Sequence, residues 1–404
     1  MRIAFVAQSW PGDDSPNGVV TAVRHLREGF REIGCEVRVI PLDKDAAAAP
    51  ETIRLPPRAR PGPLARAKGW LGLDEPWVEG IGAQIAGAAR QAEAEGVELL
   101  VMPETQGWAA LAQAAVSIPV VVTLHGPWFL HQAFHGRAPG AADARRVRRE
   151  GRGLAACAGI TAPSRDVLDR ARARYGFPEG RPAAWIPNPI PLGPALRREA
   201  LDPEAARSLL FVGRFDRHKG GDVMLEAFAR LIAGGADARL TFVGPDRGIE
   251  GADGRLTHLP EALAALPEAV RARIDVRGQL PRDEVARLRA RRPVAVIASR
   301  YENLNYTLLE TLSVGAATVC TAVGGPAELV RHGETGLLVP PEDPAALAEA
   351  CARLLAEPAL AARLGAAARA RIEAGFAPAP VAREMLAFFE QVISAHGRGP
   401  VGRA

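Results

Sequence analysis

The chain has 404 residues, of which 48% are hydrophobic and 24% are charged, so it is long enough for two or three packed domains. Basic and acidic residues are interspersed and the formal net charge is only +4, a balance that does not indicate a nucleic-acid partner. Four cysteines lack metal-ligand or redox-motif spacing, and no apolar stretch approaches the length of a membrane span. These features predict a soluble globular protein with buried thiols in the cytoplasm.

Short apolar runs alternate with longer amphipathic ones along the chain, a pattern that predicts parallel sheets covered by helices. The candidate strands of the first half are "RIAFVA", "EVRVIPL", "LLVMP", "IPVVVTLHG" and "GITAPS". Those of the second half are "SLLFVGRF", "ARLTFVG", "IDVRG", "VAVIAS", "ATVCTA" and "TGLLVPP". Each half therefore has enough strands for its own doubly wound α/β sheet.

A proline-rich stretch without periodicity, "WIPNPIPLGPALRREALDPEAARS", separates the two sets of strands. We predict an N-terminal domain over residues 1–190, a linker over 191–206 and a C-terminal domain over 207–376. Residues 377–396 have the pattern of an amphipathic helix, and the last residues, "RGPVGRA", have the composition of a frayed end. Doubly wound sheets bind ligands at the carboxyl ends of their strands, so residues in those loops are the candidates for function.

The first candidate is "FVGRFDRHKGGDVMLEAF", which predicts a buried strand, a turn and a helix. Arg214 leaves the strand and Lys219 lies at the start of the helix, where free backbone amides also favour an anion. Lysine occurs elsewhere only at Lys44 and Lys68, so Lys219 invites a specific reason, and a phosphate is the natural ligand. The alternative is a basic surface turn; the order of a Walker A loop is absent.

The second candidate is "SRYENLNYTLLETLSVG", with two acids eight positions apart in a nearly uncharged segment. Glu302 follows a predicted strand, whereas Glu310 lies among leucines on a predicted helix. A buried carboxylate is costly unless hydroxyl donors or a cation meet it, so the two acids could hold two parts of an elongated ligand. The alternative for Glu310 is an exposed position on the polar face of the helix.

Two weaker candidates lie in the first half of the chain. Gly18 in "PNGVVTAVRHL" opens a helix after a polar loop, where the backbone could approach an anion or simply turn. His125 in "VVVTLHG" ends a buried strand, and a solitary histidine of this kind is more often packed or solvated than catalytic.

Taken together, several motifs resemble glycosyltransferase family 4, which are retaining sugar-nucleotide transferases of the GT-B fold. The motifs are "FVGRFDRHKG", the Glu-x7-Glu of "ENLNYTLLE", "VVTLHG", "ITAPS", "IPNPI" and "AVGGPAELVRHGETGLLVPPEDPAALAEA". The resemblance is strong over residues 205–375 and looser, though collinear, over the first half. It implies two Rossmann-like domains facing a central cleft, with the C-terminal helix crossing back to the N-terminal domain.

The resemblance also implies the main roles in the site. Arg214 and Lys219 would bind the diphosphate of a nucleotide-sugar donor, and Glu310 would accept hydrogen bonds from the ribose hydroxyls. Glu302 would receive the hydroxyls of the transferred sugar, and His125 would lie near that sugar from the other domain. The leaving phosphate would help to deprotonate the acceptor, because no protein nucleophile is evident.

Further donor contacts are implied for the loops around these residues. The backbone of Asn303, Leu304 and Asn305, at the start of the helix, would contact the phosphates or the sugar. Gly18 would approach the donor from the opposite domain, and Gln279 and Leu280, in the turn "GQLP", would lie at the edge of the base. Many relatives have an acid followed by Gly-Phe-Gly and a glycine pair in the first domain, and this chain departs from both patterns. These departures bear more on the identity of the transferred sugar than on the type of reaction.

No metal or other cofactor is expected, because two cations and a helix N-terminus supply the positive charge that a metal would bring to the leaving group. The acid pair of Asp43-Lys44-Asp45 follows a strand of the first domain and has the sequence of a solvated loop.

Other activities remain open at this stage: an epimerase or hydrolase of the same fold, or a non-catalytic module that binds a sugar nucleotide. The acceptor could be a glycan, a lipid-linked glycan or a small molecule, and the base, linkage, pathway and oligomeric state are open. "PRARPGPLARAKGWLGLDEPW" mixes Arg58, Arg60, Arg66 and Lys68 with Trp70 and Trp77, and could form a peripheral contact with anionic lipid or a solvated loop. Glu104 and Trp108 are candidates for facing the acceptor.

Overall fold

The computed structural model describes residues 1–10, 17–43, 49–58, 75–134, 138–192, 207–251 and 254–397. The chain divides into two compact units. Unit 1 comprises Met1–Phe129, Gly140–Pro189 and Pro378–Ala404, and unit 2 comprises Leu130–Pro139 and Ile190–Ala377. Of the predicted linker, residues 193–206 lie outside the described residues, as does the C-terminal tail from residue 398.

Unit 1 contains a parallel sheet whose described strands run in the order β2-β1-β3-β4-β5-β6. The strands are β1 (Arg2–Ala7), β2 (Glu36–Pro41), β3 (Leu99–Pro103), β4 (Val120–Thr123), β5 (Gly159–Ala162) and β6 (Ala183–Trp185). The helices up to β6 are α1 (Gly18–Glu32), α2 (Pro76–Ala94), α3 (Ala109–Gln113), α4 (Trp128–His131, which runs into unit 2), α5 (Ala141–Ala156) and α6 (Arg165–Tyr175). A 3-10 turn covers Thr105–Gly107.

Unit 2 contains a second parallel sheet, in the order β11-β8-β7-β12-β13-β14. Its strands are β7 (Ser208–Val212), β8 (Arg239–Val243), β11 (Ile274–Gly278), β12 (Val294–Ile297), β13 (Thr318–Thr321) and β14 (Leu337–Val339), and β9 (Ile249–Glu250) pairs with β10 (Leu256–Thr257). The helices are α7 (Gly221–Ala233), α8 (Leu259–Ala264), α9 (Glu268–Arg271), α10 (Arg282–Ala290), α11 (Tyr306–Ser313), α12 (Gly324–Leu329), α13 (Pro344–Ala356) and α14 (Pro358–Gly375). A 3-10 turn covers Gln132–Phe134.

The apolar runs form strands because both faces of a parallel sheet are covered by helices, which favours strands without polar alternation. In β4 and β12, for example, every residue is buried. All predicted strands are present, and β6 and the β9–β10 pair are additional. Trp185 belongs to β6 rather than to the proline-rich stretch between the two sets of strands, where the sequence placed it, because this short, proline-flanked segment has too little pattern to predict an edge strand.

Each unit has an apolar core of its own. All four cysteines are buried free thiols, as their spacing predicted. None of the described helices combines the length and the apolar content needed to cross a membrane.

The C-terminal helix, α15 (Pro378–Gly397), packs on α1 of unit 1, which confirms the arrangement that the resemblance implied. Gly29 allows the close approach, because a Cβ atom there would lie 2.2 Å from the carbonyl oxygen of Pro378. The rings of Phe30 and Phe389 stack with centroids 5.9 Å apart. The last helix therefore completes the core of the unit in which the chain begins.

Replacing Phe389 by Ala should lower the free energy of unfolding of unit 1 by about 3–5 kcal/mol, the usual cost of a cavity left by a buried phenylalanine. Phe389 is fully buried, whereas its neighbour Glu390 is exposed, so Glu390→Ala is the matched control. Urea unfolding followed by circular dichroism measures both. Equal midpoints for the two variants would mean that the helix contributes little to this core.

Candidate functional site

The predicted donor residues of unit 2 lie in loops at one edge of its sheet. Arg214 and Lys219 follow β7, and Glu302 follows β12. These strands are parallel neighbours, with Phe211 opposite Val296, so their carboxyl ends lie side by side. The fold thus brings together residues more than eighty positions apart in the sequence.

Lys219 and Glu302 form an ion pair between Nζ and Oε1. Ser299 also donates its hydroxyl to Oε1 of Glu302, at 2.7 Å. Burial alone would raise the pKa of Glu302, but the nearby charge of Lys219, with His218 and these hydrogen bonds, lowers it to about 2. Glu302 is therefore a carboxylate that accepts hydrogen bonds at any physiological pH.

Arg214 is held by an acid that the sequence analysis did not single out. Its Nε lies 2.5 Å from Oδ2 of Asp216, and the other oxygen of Asp216 accepts the backbone N–H of Lys219 at 2.7 Å. Asp216 thus sets the turn that carries both cations. The signal was its place between them in "RFDRHK", where a short acid often caps a turn.

Gly220 lets this turn lie directly against the end of β12. It is the N-terminal cap of α7 with φ of 69°, a left-handed conformation that favours glycine. A Cβ atom at this position would lie 2.0 Å from the carbonyl oxygen of Ala298. Lys219, the residue before Gly220, therefore lies close enough to the loop after β12 to pair with Glu302.

Arg300 ties the same loops together and was also missed. Its guanidinium donates to both carboxylate oxygens of Asp222, at 2.9 and 2.7 Å, to the carbonyl of Arg217 at 2.6 Å, and to Glu342 at 2.8 Å. Burial alone would lower the pKa of Arg300, but its hydrogen bonds to Asp222 and Glu342 raise it. A single arginine in an arginine-rich chain gives no sequence signal for such a role.

Glu310 lies on α11 and is met by a cation. Oε2 of Glu310 is 2.6 Å from Nη1 of Arg289, on α10. The helix itself begins at a cap from Asn305, whose side chain accepts the N–H of Leu308 at 2.8 Å. A cation therefore meets this carboxylate, as a buried acid requires, and the side chain is partly buried rather than fully exposed.

The remaining predicted donor residues of unit 2 lie in the loop after Glu302 and in the turn after β11. Asn303 and Leu304 are buried in the loop between Glu302 and α11. Gln279 is exposed just after β11, whereas Leu280 packs against the small apolar cluster of Leu210, Val243 and Val285.

Four rings pack beside the Lys219 turn within unit 2. His131 and Phe134 belong to the short stretch Leu130–Pro139, and their ring centroids lie 5.1 and 5.3 Å from that of His218. Phe134 also stacks parallel to Tyr301 at 6.5 Å. These contacts explain why a stretch inside the range predicted for the first domain clusters with unit 2.

The two predicted residues of unit 1 lie at the ends of separate strands and helices. Gly18 is the first residue of α1, capped by Asn17, which accepts the N–H of Val19 at 2.8 Å. His125 follows β4, and burial lowers the pKa of its ring to about 4, so the imidazole is neutral at pH 7.

The turn of His125 is held by Glu104. The two carboxylate oxygens of Glu104 accept the backbone N–H groups of His125 at 2.9 Å and Gly126 at 2.8 Å. Burial and the nearby Glu150 raise the pKa of Glu104 to about 7. Glu104 therefore positions a loop rather than presenting itself to solvent, and Trp108 is likewise buried, with its indole N–H bonded to the carbonyl of Val78 at 2.9 Å.

The arginine- and tryptophan-rich segment is described only in part. Arg58 contacts the carbonyl of Pro76 at 3.4 Å, and the side chain of Trp77 is on the surface, with an accessible fraction of 42%. The rest of its named residues lie outside the described part of the chain: Arg60, Arg66, Lys68 and Trp70. The same holds for Lys44 and Asp45 in the segment Asp43-Lys44-Asp45.

Two family models match the chain. The model "Glycosyltransferase Family 4" matches residues 16–193, and "Glycosyl transferases group 1" matches residues 206–357. A D-inositol 3-phosphate glycosyltransferase of Catenulispora acidiphila is 29% identical over 305 residues, which are 72% of this chain and 70% of the relative.

Solved structures resemble the chain over almost its full length. Sucrose-phosphate synthase from Thermosynechococcus elongatus has a TM-score of 0.72 and 25% identity, covering 98% of this chain and 99% of its own. Anabaena HepE in complex with UDP-glucose has a TM-score of 0.69 and 17% identity, covering 97% of this chain and all of its own. These likenesses confirm the predicted α/β fold class.

The raised pKa of Glu104 predicts a pH-dependent contribution to stability. The native protein holds this proton up to about pH 7 while the unfolded chain releases it near pH 4.5, so the contribution of Glu104 is lost as the pH rises through that window. Glu104→Gln removes the titration. The difference between its melting temperature and that of the wild type should therefore change in favour of the variant from about pH 5 to about pH 7. Parallel melting profiles would contradict this protonation, while Glu98→Gln, at an exposed acid, is the control.

Proposed function

Because this chain belongs to glycosyltransferase family 4 and has the GT-B fold, we propose that it is a retaining, metal-independent transferase that uses a nucleoside-diphosphate hexose as its donor. The observation that carries the proposal is the Lys219–Glu302 ion pair beside Arg214, at the carboxyl edge of the unit 2 sheet. It supplies a cation for a phosphate and a fixed carboxylate for hydroxyl groups within one small region.

The cations are assigned to the leaving diphosphate. Negative charge grows on this group as the bond to the anomeric carbon breaks, and donors already aimed at that charge lower the barrier. The ammonium of Lys219 has two further N–H donors besides the one toward Glu302, and Asp216 holds both the lysine turn and Arg214. The N-terminus of α7 adds its dipole next to Lys219.

Glu302 is assigned to the transferred sugar. Within the described ranges, Lys219 and Ser299 both contact the carboxylate at Oε1, which leaves Oε2 to accept a sugar hydroxyl. The low pKa of Glu302 supports this role, because an ionised carboxylate can only accept. Glu310 is assigned to the ribose, and the turn of Gln279 and Leu280 to the edge of the base.

Other roles rest on the family resemblance. The loop of Asn303, Leu304 and Asn305 is assigned to the phosphates or the sugar, and Gly18 and His125 of unit 1 to the donor. The neutral ring of His125 suits a hydrogen bond rather than a charge contact. We expect no metal to be required, since the cations of unit 2 serve the leaving group.

Two relatives suggest the first substrates to try. HepE was solved with UDP-glucose, which makes UDP-glucose the first donor, and the name of the Catenulispora relative makes D-inositol 3-phosphate the first acceptor. A lipid-linked acceptor is the second choice, supported by the exposed Trp77 as a peripheral membrane contact.

Product analysis of UDP-glucose with and without D-inositol 3-phosphate tests the reaction. A transferase forms a new glycoside only with acceptor, a hydrolase releases glucose without it, and an epimerase changes the sugar on the nucleotide. The anomeric configuration of the glycoside, read by NMR, should equal that of the donor. Glucose release that ignores every acceptor would favour the hydrolase, and an unchanged donor that nonetheless binds would favour a non-catalytic module.

Lys219→Ala should reduce kcat by about 10² to 10³, the scale for losing one preorganised donor to a developing negative charge. The control is Arg230→Ala on α7, whose exposed guanidinium pairs with Glu226 and should not affect turnover.

Initial rates are measured in excess chelator and again with Mn²⁺. Activity that the chelator abolishes and Mn²⁺ restores would refute the metal-independent mechanism.

The two acids should also separate by ligand. Glu310→Ala should weaken binding of free UDP and UDP-glucose alike, because the ribose is present in both. In Glu302→Gln the amide oxygen can still accept from Lys219 and Ser299, whereas the amide NH2 cannot accept a sugar hydroxyl. This variant should therefore leave UDP affinity nearly unchanged and mainly reduce turnover of UDP-glucose. Calorimetry gives the affinities, and a Glu310→Ala variant that binds UDP like the wild type would remove the ribose assignment.

A further inference from the structure

Arg289 is a buried cation that pairs with Glu310, the acid assigned to the ribose. Its side chain is only 6% exposed, and its Nη1 lies 2.6 Å from Oε2 of Glu310, whose own side chain is 30% exposed. The Nε of Arg289 is buried and has no hydrogen-bond partner among the described residues. Among the described residues, Glu310 on α11 is the acid with which this guanidinium pairs.

Stability alone does not account for a charge in this place. Removing a guanidinium from water costs several kcal/mol, and a buried donor without a partner adds a further cost of about 1–3 kcal/mol. An apolar side chain of similar volume on α10 would avoid both costs. The charge therefore has a use that concerns Glu310, the one carboxylate with which it pairs in the described part of the chain.

The contact fixes one oxygen of Glu310 and leaves the other. A glutamate side chain has several rotamers, and holding it still costs conformational entropy that binding would otherwise have to supply. Arg289 contacts Oε2, and 30% of the Glu310 side chain remains exposed, so the carboxylate keeps acceptor capacity for a ligand. A carboxylate oxygen that is ionised and already oriented is well suited to accept hydrogen bonds from vicinal hydroxyls.

We propose that Arg289 is a positioning residue that orients Glu310 for the ribose and so makes the site selective for ribonucleotides over deoxyribonucleotides. This inference rests on the proposed function, since it concerns the same donor site. Arg289 touches no substrate; it acts through Glu310.

The test compares UDP with 2′,3′-dideoxyUDP, which lacks both ribose hydroxyls, by calorimetry. The wild type should bind UDP at least about tenfold more tightly than the dideoxy analogue, the scale of hydrogen bonds to a charged group. Arg289→Met should weaken UDP, leave the analogue unchanged, and bring the ratio of the two affinities close to one. A merely structural role would weaken both ligands together or neither.

Controls separate the possible failures. Arg287→Met removes an exposed guanidinium of the same helix, paired with Asp283, and should keep the wild-type ratio. Arg289→Gln replaces Arg289→Met if the latter does not fold, with the same expected ratio. In the double variant with Glu310→Ala, the loss of Arg289 should cost nothing further, because the two residues act as one unit.

Either of two results would overturn the inference. A folded Arg289 variant that keeps the wild-type preference for UDP would leave Glu310 selective without its arginine, and the proposed function would stand. A wild-type protein that binds UDP and the analogue equally, or binds no nucleoside diphosphate, would overturn the ribose assignment and this inference together.

Discussion

The proposed donor site of unit 2 depends on one ion pair, between the ammonium of Lys219 and the carboxylate of Glu302. The pair joins the loops after β7 and β12, so it exists only when these two strands are neighbours in register. Buried pairs of this kind add little net stability, because the desolvation of both charges offsets their attraction. The gain is in position: a cation and an acceptor-only carboxylate are fixed before any ligand arrives.

The surrounding contacts can be understood as supports for this pair. Asp216 sets the turn of Lys219 from one side, and Gly220 lets that turn approach the end of β12 without a clash. Arg300 then fastens the loop that carries Glu302 to the start of α7 through Asp222. Each contact reduces the freedom of the two charges, and preorganisation of this type is what a reaction with a developing negative charge requires.

Much of the fold was predictable because parallel strands buried on both faces leave continuous apolar runs. Lys219 and Glu302 could be singled out as candidates from the sequence, since they lie at strand ends within recognisable motifs. The pairing of Lys219 with Glu302 and the contacts of Arg300 and Arg289 were not predictable. Arg300 and Asp222 are 78 positions apart, and in a chain so rich in arginine no single arginine stands out. The edge strand β6 was not predicted, because three residues between prolines are too few to show an alternating pattern.

The central claim is that the nucleoside diphosphate binds at the carboxyl edge of the unit 2 sheet. Hydrogen–deuterium exchange with and without UDP tests it most directly, because bound phosphate and ribose should slow exchange of the nearby backbone amides. The account predicts protection in the peptides covering residues 213–222 and 299–312. Binding of UDP that protects neither segment, and protects other parts of the chain instead, would contradict it.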